Sequence, residues 1–491
     1  MKYSKIFLAC ITVLMLISLS RYSFAATYWV STSGNNTNNC LSESAPCKTI
    51  NHAVSLAKNP GDIVNIKSGT YKENSDGDGT NFFGITIGVA FRNSGTASKP
   101  IVVQAAPGHE GLPIIDGQGT NTLFMIGNTD YITIKNLQFH NAYHAAIHGR
   151  GSNNRISVDK NYSIGIQILN NYIYNTNHEN LKGNIGTIRA DQSKDWVVRN
   201  NKVHRVTNYG DYTNRTYGIQ AYDTYNMLVE HNDFQYMESA VFFKDHSLLS
   251  DDGQGNRTYH NGSVIRYNTI GHTVNAIQFI TNSNNGDEAS NHYIHHNIIY
   301  DFSKFGFLVN MSNSMYNSLN LRIEHNVFDG TGNLKAMGIS NDSMIYHTQK
   351  GNILVNLSTA IDLKDENDTE PALTYSNYNI FSDKFSVNVD RGGAKAKTIS
   401  SLSAWRGVLD SQFQSVAVDN PDVNSIVSTS SNLFVNAGTR NYKLKSGSSA
   451  LAFMDDGSNA GPYQYGTEEI GLLAGYPKYE EPVRPEAPVL R

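Results

Sequence analysis

The side chains best placed to do chemistry recur at one position of a repeating strand. Arg189 stands in TIRAD, Gln220 and Tyr222 in GIQAYD, Phe242 and Lys244 in AVFFKD, and Gln278 in AIQFIT. Each phrase alternates apolar and other residues with period 2, so successive side chains leave opposite faces of a strand. Ile188, Ala190, Ile219, Ala221, Val241 and Phe243 then point inward. Arg189 with Asp191, Gln220 with Tyr222, and Phe242 with Lys244 point outward, as do Gln278 and, one repeat earlier, His148 with Arg150. Strands stacked about 4.8 Å apart line these residues up as a column. Arg189, Tyr222 and Lys244 are then expected to converge on one ligand.

Such a column suits removal of a poorly acidic proton beside a carboxylate, as at C5 of a uronic acid. A cation next to the carboxylate stabilises the developing enolate, a base takes the proton, and an acid serves the leaving oxygen. Lys244 is the expected base if Arg189 and partial burial depress its pKa. Tyr222 or His246 is expected to supply the second proton role. His148, Arg150, Gln220 and Gln278 are expected to bind substrate. Asp191, Asp223 and Asp245 are the candidate metal ligands. Asp223 and Asp245 read as the same turn position in successive repeats, and stacked carboxylates repel unless a cation or proton sits between them. Ca2+ is the ion their oxygens would take, with turn-forming Asx residues as the alternative. The alternative for the whole column is a solvated face of long side chains. Inverting hydrolysis would need two carboxylates about 6.5–9.5 Å apart, and Asp191 with Asp223 or Asp245 is the available pair.

What positions these residues is a repeat built on asparagine. Asn171, Asn201, Asn232, Asn268, Asn297, Asn326 and Asn352 each sit in a phrase such as LNNYIYN or EHNDFQY, with outlying copies at Asn136 and Asn379. By subtraction, the steps from Asn136 to Asn379 are 35, 30, 31, 36, 29, 29, 26 and 27 residues. A period of that size marks a solenoid. Both phrases of each repeat read as strands, and no helical pattern separates them. The fold expected is therefore all-β, a right-handed parallel β-helix with an N-terminal capping helix. Asn is expected at the corners because it tolerates the left-handed conformation and because stacked amides bond from turn to turn. His231, His296 and His325, each just before a corner Asn, are expected to form a structural stack rather than bind metal.

Residues 1–25 read as a signal peptide, with Lys2 and Lys5 before an apolar run from Ile6 to Leu19. A secreted or periplasmic protein is expected, without a membrane span. Cys40 and Cys47, the pair left in the exported chain, are expected to form a disulfide. The formal net charge of −4 over 491 residues argues against a nucleic-acid partner.

Residues 26–122 are expected to form an N-terminal cap and the first coils. YWVSTSGNN reads as a strand, APCKTINHAVSLAKNPGD as a short helix with a Pro-Gly stop, and IVNIKSGTYKE as a strand and turn. This run resembles the N-terminal part of secreted bacterial β-helix proteins of the pectate lyase superfamily. It is most similar to the polysaccharide lyase families that include chondroitinase B, alginate lyases and large pectate lyases. The resemblance implies that the helix caps the open end of the solenoid. Residues 123–383 carry the coils. Insertions at Ser247–Ser263, Asn282–His292 and Met311–Asn320 fall at one corner and are expected to wall a binding face. Residues 384–491 are expected to form a C-terminal cap and a poorly ordered tail. The Asp-Pro-His-Asp motif of alginate epimerases and the polygalacturonase signatures are absent. The expected activity is β-elimination of an acidic polysaccharide by a monomeric lyase, with a non-catalytic carbohydrate-binding protein or a β-helix glycoside hydrolase as alternatives.

Overall fold

The computed structural model describes residues 25–73, 86–150, 162–176, 185–204, 216–245, 262–281, 291–311, 321–331, 335–342, 347–365, 373–391, 397–407 and 421–477. Residues 1–24, His246, the bulk of the three insertions and residues 478–491 lie outside the described residues, as do the side chains of Asp223 and Asp245. No helix among the described residues is long and apolar enough to cross a membrane.

Twelve short strands, from Thr27–Val30 to Leu373–Asn377, pair in parallel as one sheet. The longer second sheet is also parallel, except where Lys397–Ile399 pairs antiparallel with Val387–Arg391, and it turns a corner within its longest members. Each strand thus meets its equivalent one coil on, and the crossover rule for parallel strands makes the winding right-handed. Ile188, Ala190, Ile219, Ala221, Val241, Phe243, Ile277 and Phe279 are buried in one continuous core, as the period-2 reading places them. The start is closed by α1 (Ile50–Leu56). Thr49 caps it by accepting from the His52 N–H, and the Glu73 carboxylate accepts from the Ile50 and Asn51 N–H groups at 2.8 and 3.0 Å. Those are donors that a helix start leaves without internal partners. Cys40 and Cys47 form a disulfide, and both are fully buried.

The asparagines form an unbroken ladder. In each of Asn171, Asn201, Asn232, Asn268, Asn297, Asn326 and Asn352, both the backbone N–H and the side-chain Nδ2 donate to Oδ1 of the next Asn at 2.9–3.2 Å. The conformational expectation needs correcting. The left-handed residue is the one before each ladder position: Asn170, Asn200, His231, Tyr267, His296, His325, Gly351 and Tyr378. Asn136 is itself left-handed, so it matches Asn170 rather than Asn171, and Leu137 donates its N–H to Asn171 Oδ1. The ladder Asn must aim its amide along the solenoid axis, so the sharp turn falls to its neighbour. Where that neighbour is bulky, rings stack, His231 on Tyr267 and His296 on His325, at centroid distances of 5.1 Å in both pairs.

After Asp383 the chain does two things. The stretch around α2 (Leu402–Arg406) closes the far end, with Trp405 fully buried in the core and its indole N–H donating to Asp422. Residues 426–477 then run back along the ladder corner as a strap. Successive bonds join Gly461 to Gly351, Gly471 to Tyr267, Leu473 to Asn200 and the Tyr476 hydroxyl to the Asn171 carbonyl. Leu433, Phe434, Tyr442 and Met454 of the strap pack with Ile298, Tyr300, Val327 and Ile353 in a second apolar cluster.

Candidate functional site

The strands that carry the expected column are β1 (Ile147–Arg150), β2 (Ile185–Lys194), β3 (Thr216–Tyr225), β4 (Asp233–Asp245), β5 (Thr269–Thr281) and β6 (Ile298–Met311). Their register sets His148, Arg189, Gln220, Phe242 and Gln278 in one row. The adjacent row is Arg150, Asp191, Tyr222, Lys244 and Ile280. Alternation thus placed each outward residue beside the neighbour expected for it.

The first row is largely buried, whereas Arg150, Tyr222, Lys244 and Ile280 of the second are half-buried. His148, Gln220 and Phe242 are fully buried, and Phe242 stacks on Tyr217 with ring centroids 4.0 Å apart. Gln278 is buried and accepts from the Ser239 hydroxyl at 3.1 Å. Arg189 and Asp191 are only 13% and 12% exposed at their side chains. Arg189 comes within 5.3 Å of the Tyr222 ring centroid, and Lys244 stands one strand beyond Tyr222. Asp191, Tyr222 and Lys244 occupy consecutive coils, so two inter-strand spacings of about 4.8 Å separate Asp191 from Lys244.

At one end of the rows lies a buried charge cluster. Arg189 Nε donates to both Asp191 oxygens at 3.0 and 2.9 Å, and His148 Nε2 donates to Oδ2 at 3.1 Å. Burial alone would raise the Asp191 pKa, but the Arg189 and His148 charges and bonds outweigh it and hold it down at about 2. Arg189 also reaches His144 Nε2 at 3.5 Å. Burial, then Arg189, pushes His144 down to about 3. Burial lowers His148 and Arg150 too, with Asp191 acting in the opposite direction on each. His144 was missed from sequence, although its place four residues before His148 in HAAIH was visible.

Both Asp191 oxygens are therefore committed, and this described part of the proposed calcium set does not fit an ion. Nor does a carboxyl held near 2 fit the general acid of a hydrolase, which needs a raised pKa. Asp223 and Asp245 directly follow the paired Tyr222 and Lys244 and lie within β3 and at the end of β4 rather than in turns. The arrangement best fitted to proton chemistry lies further along. Gln220 Nε2 donates to the Tyr222 hydroxyl oxygen at 2.8 Å, which leaves the phenol's own proton to be given elsewhere. The Arg189 guanidinium lies 5.3 Å from the Tyr222 ring centroid. Lys244 is the next residue in that row and is half-buried.

A parallel solenoid, closed at its start by a helix and carrying a charged row on one face, is a right-handed parallel β-helix. More particularly, residues 28–183 match the family model described as Pel9A-like, right handed beta helix region. No curated protein sequence matches the chain. Among solved structures it is similar to a rhamnogalacturonan lyase, at 15% identity over 82% of this chain and 87% of that one, with a TM-score of 0.40. It is also similar to pectate lyase Pel9A, at 16% identity over 70% and 78%, TM-score 0.38. A third is the GH136 lacto-N-biosidase from Eubacterium ramulus, at 12% identity over 82% and 68%, TM-score 0.38.

Proposed function

We propose that the protein is an exported polysaccharide lyase that binds an acidic, uronate-containing chain along the β1–β5 face and cleaves it by β-elimination. The observation that carries this reading is the charge of the two rows among the described residues. Arg150, Arg189 and Lys244 share the face with one described carboxylate, Asp191, which Arg189 and His148 already hold. The surplus is positive, as an acidic polymer requires. The Cys40–Cys47 disulfide suits an oxidising compartment.

In this mechanism Lys244 accepts the C5 proton as a neutral amine. The electron pair forms the C4–C5 double bond, and O4 departs with a proton from Tyr222. Arg150, three coils from Lys244, holds the carboxylate of a neighbouring uronate in the same chain. Arg189, whose Nε is spent on Asp191, keeps the end of the face rigid and contributes field beside Tyr222. Catalysis then rests on a positioned base and on fixed cations that need no reorganisation.

The test is to incubate the mature protein with alginate, pectate and glycosaminoglycans and follow the absorbance of unsaturated ends. The expected result is absorbance on one of them, lowered about 10²–10⁴-fold by Lys244→Ala, the usual effect of losing a proton-transfer group, at an unchanged Tm. Reducing ends without absorbance would make the protein a hydrolase, and neither signal would make it a binding protein. Full activity in a folded Lys244→Ala variant would remove Lys244 from the base role.

A further inference from the structure

A second corner of the coil follows each ladder position by four residues. It begins as asparagine: Asn141 and Asn175 are both left-handed, and Asn175 Nδ2 donates to Asn141 Oδ1 at 2.9 Å. Asn356 holds the same place near the far end. Between them, three consecutive coils put Tyr236, His272 and Asp301 there, at φ 65°, 52° and 48°. Asn, Asp and His enter this region more readily than other side chains, so Tyr236 is the strained one of the three, at a cost of about 1–2 kcal/mol. The departure from Asn in three consecutive coils is a reason to look at what they line.

A cavity of about 350 Å3 lies at that place. Tyr236 and His272 line it with parallel rings 4.5 Å apart. Asp233 stands beside them, accepting from His204 Nε2 at 2.8 Å and from Gln235 at 2.7 Å. Gln235 also donates to the Tyr300 hydroxyl at 2.8 Å. The opposite wall is the strap. Arg440, itself left-handed at φ 63°, lies 4.7 Å from the Tyr300 ring centroid and donates to Asp301 at 3.1 Å and to His272 Nε2 at 2.7 Å. Gly471 brings the strap within reach, since a Cβ there would meet Thr269 Oγ1 at 2.4 Å. Tyr236 precedes Lys244 by eight residues on β4, with the corner between them, so this cavity is separate from the charged row.

Aromatic rings beside a carboxylate, an amide and a hydroxyl form the kind of wall that takes a sugar: ring faces meet C–H groups and the polar atoms fix hydroxyls. Asp301 is already paired with Arg440, and Asp233 already accepts from His204 and Gln235. An incoming carboxylate would have to displace Asp301, whereas an uncharged sugar displaces nothing. We propose that the cavity between the second corner and the strap is a second carbohydrate site that takes an uncharged pyranose. The inference rests on the proposed function only in taking the ligand as part of a polysaccharide.

The test uses the full mature protein carrying Lys244→Ala, so that nothing is consumed. It is titrated by calorimetry with galactobiose, xylobiose and cellobiose, and separately with tetragalacturonate. One of the neutral disaccharides is expected to bind. Adding Tyr236→Asn should weaken that binding at least tenfold without lowering Tm, because Asn is what this corner carries at 141 and 175. Arg440→Ala, on the exposed strap, should weaken it as well and keeps the test decisive if Tyr236→Asn folds poorly. Silence with all three disaccharides, or equal binding in both variants, would overturn the proposal. The tetragalacturonate titration reports on the charged row instead. Failure of the lyase reading shows there and in the absorbance assay, while the neutral titrations stand or fall independently.

Discussion

The two corners of each coil began with the same material and were put to different uses. The ladder corner repeats one side chain for eight coils, fully buried, each amide satisfied by the next. The second corner repeats asparagine only at its ends and breaks the pattern where the cavity lies. Repetition in a solenoid marks what every coil needs, whereas a run of departures at one row marks what only some coils do. The charged face follows the same rule, since Arg150, Asp191, Tyr222, Lys244 and Ile280 share a row and no residue type recurs.

The largest effect should come from breaking the repetitive corner. Asn268→Ala leaves the N–H and Nδ2 of Asn232 without their acceptor and strips a donor from Val229, Arg266 and Asn297. At about 1–3 kcal/mol for each buried group left unmade, a loss of roughly 3–6 kcal/mol is expected in denaturant unfolding. A loss under 1 kcal/mol would mean that the ladder tiles the corner without holding it. Breaking the non-repetitive row should cost less stability. Arg189→Ala leaves the Asp191 carboxylate buried with His148 alone, for about 3 kcal/mol, the low end for one missing partner of a buried pair. Asp191 should then titrate at a higher pH in NMR of the variant, which a purely packing role for Arg189 does not predict.

The gentlest probe is acid. Burial, with the charge of His296 next, lowers His325 to about 4 and His295 to about 2, and burial with Arg189 lowers His144 to about 3. These groups stay neutral in the fold, while in the unfolded chain they titrate near the ordinary imidazole value of 6.5. Their contribution is full above about pH 6.5 and declines as pH falls below it, because the unfolded chain then binds protons that the fold refuses. Asp191, lowered from 3.8 to about 2, acts in the same direction between those values. Tm should therefore fall steadily from pH 6.5 to 4, and a flat profile would contradict the burial of these histidines.

The ladder was legible because a chemical need that recurs every coil leaves a period in the sequence. The two rows were legible because strand alternation is rigid: knowing that Ile188 and Ile219 point inward fixes Arg189 and Gln220. The left-handed residue was misplaced by one because Asn at the corner looks the same whether it turns the chain or bridges coils. Burial of His148 and Gln220 was hidden, since period 2 tells which way a side chain leaves a strand and nothing of what covers it. The cavity needed Leu473 to reach Asn200 across 273 residues, and no local pattern carries that. A signal was nonetheless present. Read four places after each ladder position from Leu137 on, the sequence runs Asn141, Asn175, Arg205, Tyr236, His272, Asp301, Gly330, Asn356 and Asp383, and the break at its middle is visible once the offset is known.

The ladder also has a direction. Every side-chain carbonyl from Asn171 to Asn379 accepts from the preceding coil. Each Nδ2 from Asn171 to Asn352 gives one proton forward to the next Asn and another back to a backbone carbonyl. Eight parallel side-chain carbonyl dipoles add along the axis as peptide dipoles add in a helix, and their positive pole emerges at Asn379. There Asn379 Nδ2 donates to Asp422, a carboxylate that also accepts from Ser376, Ser425 and Trp405. Any oxygen would satisfy the last amide, but a carboxylate also answers the accumulated field. The solenoid is thus an electret with its own counter-charge, and the coil at which Asp422 enters is where the stack can stop.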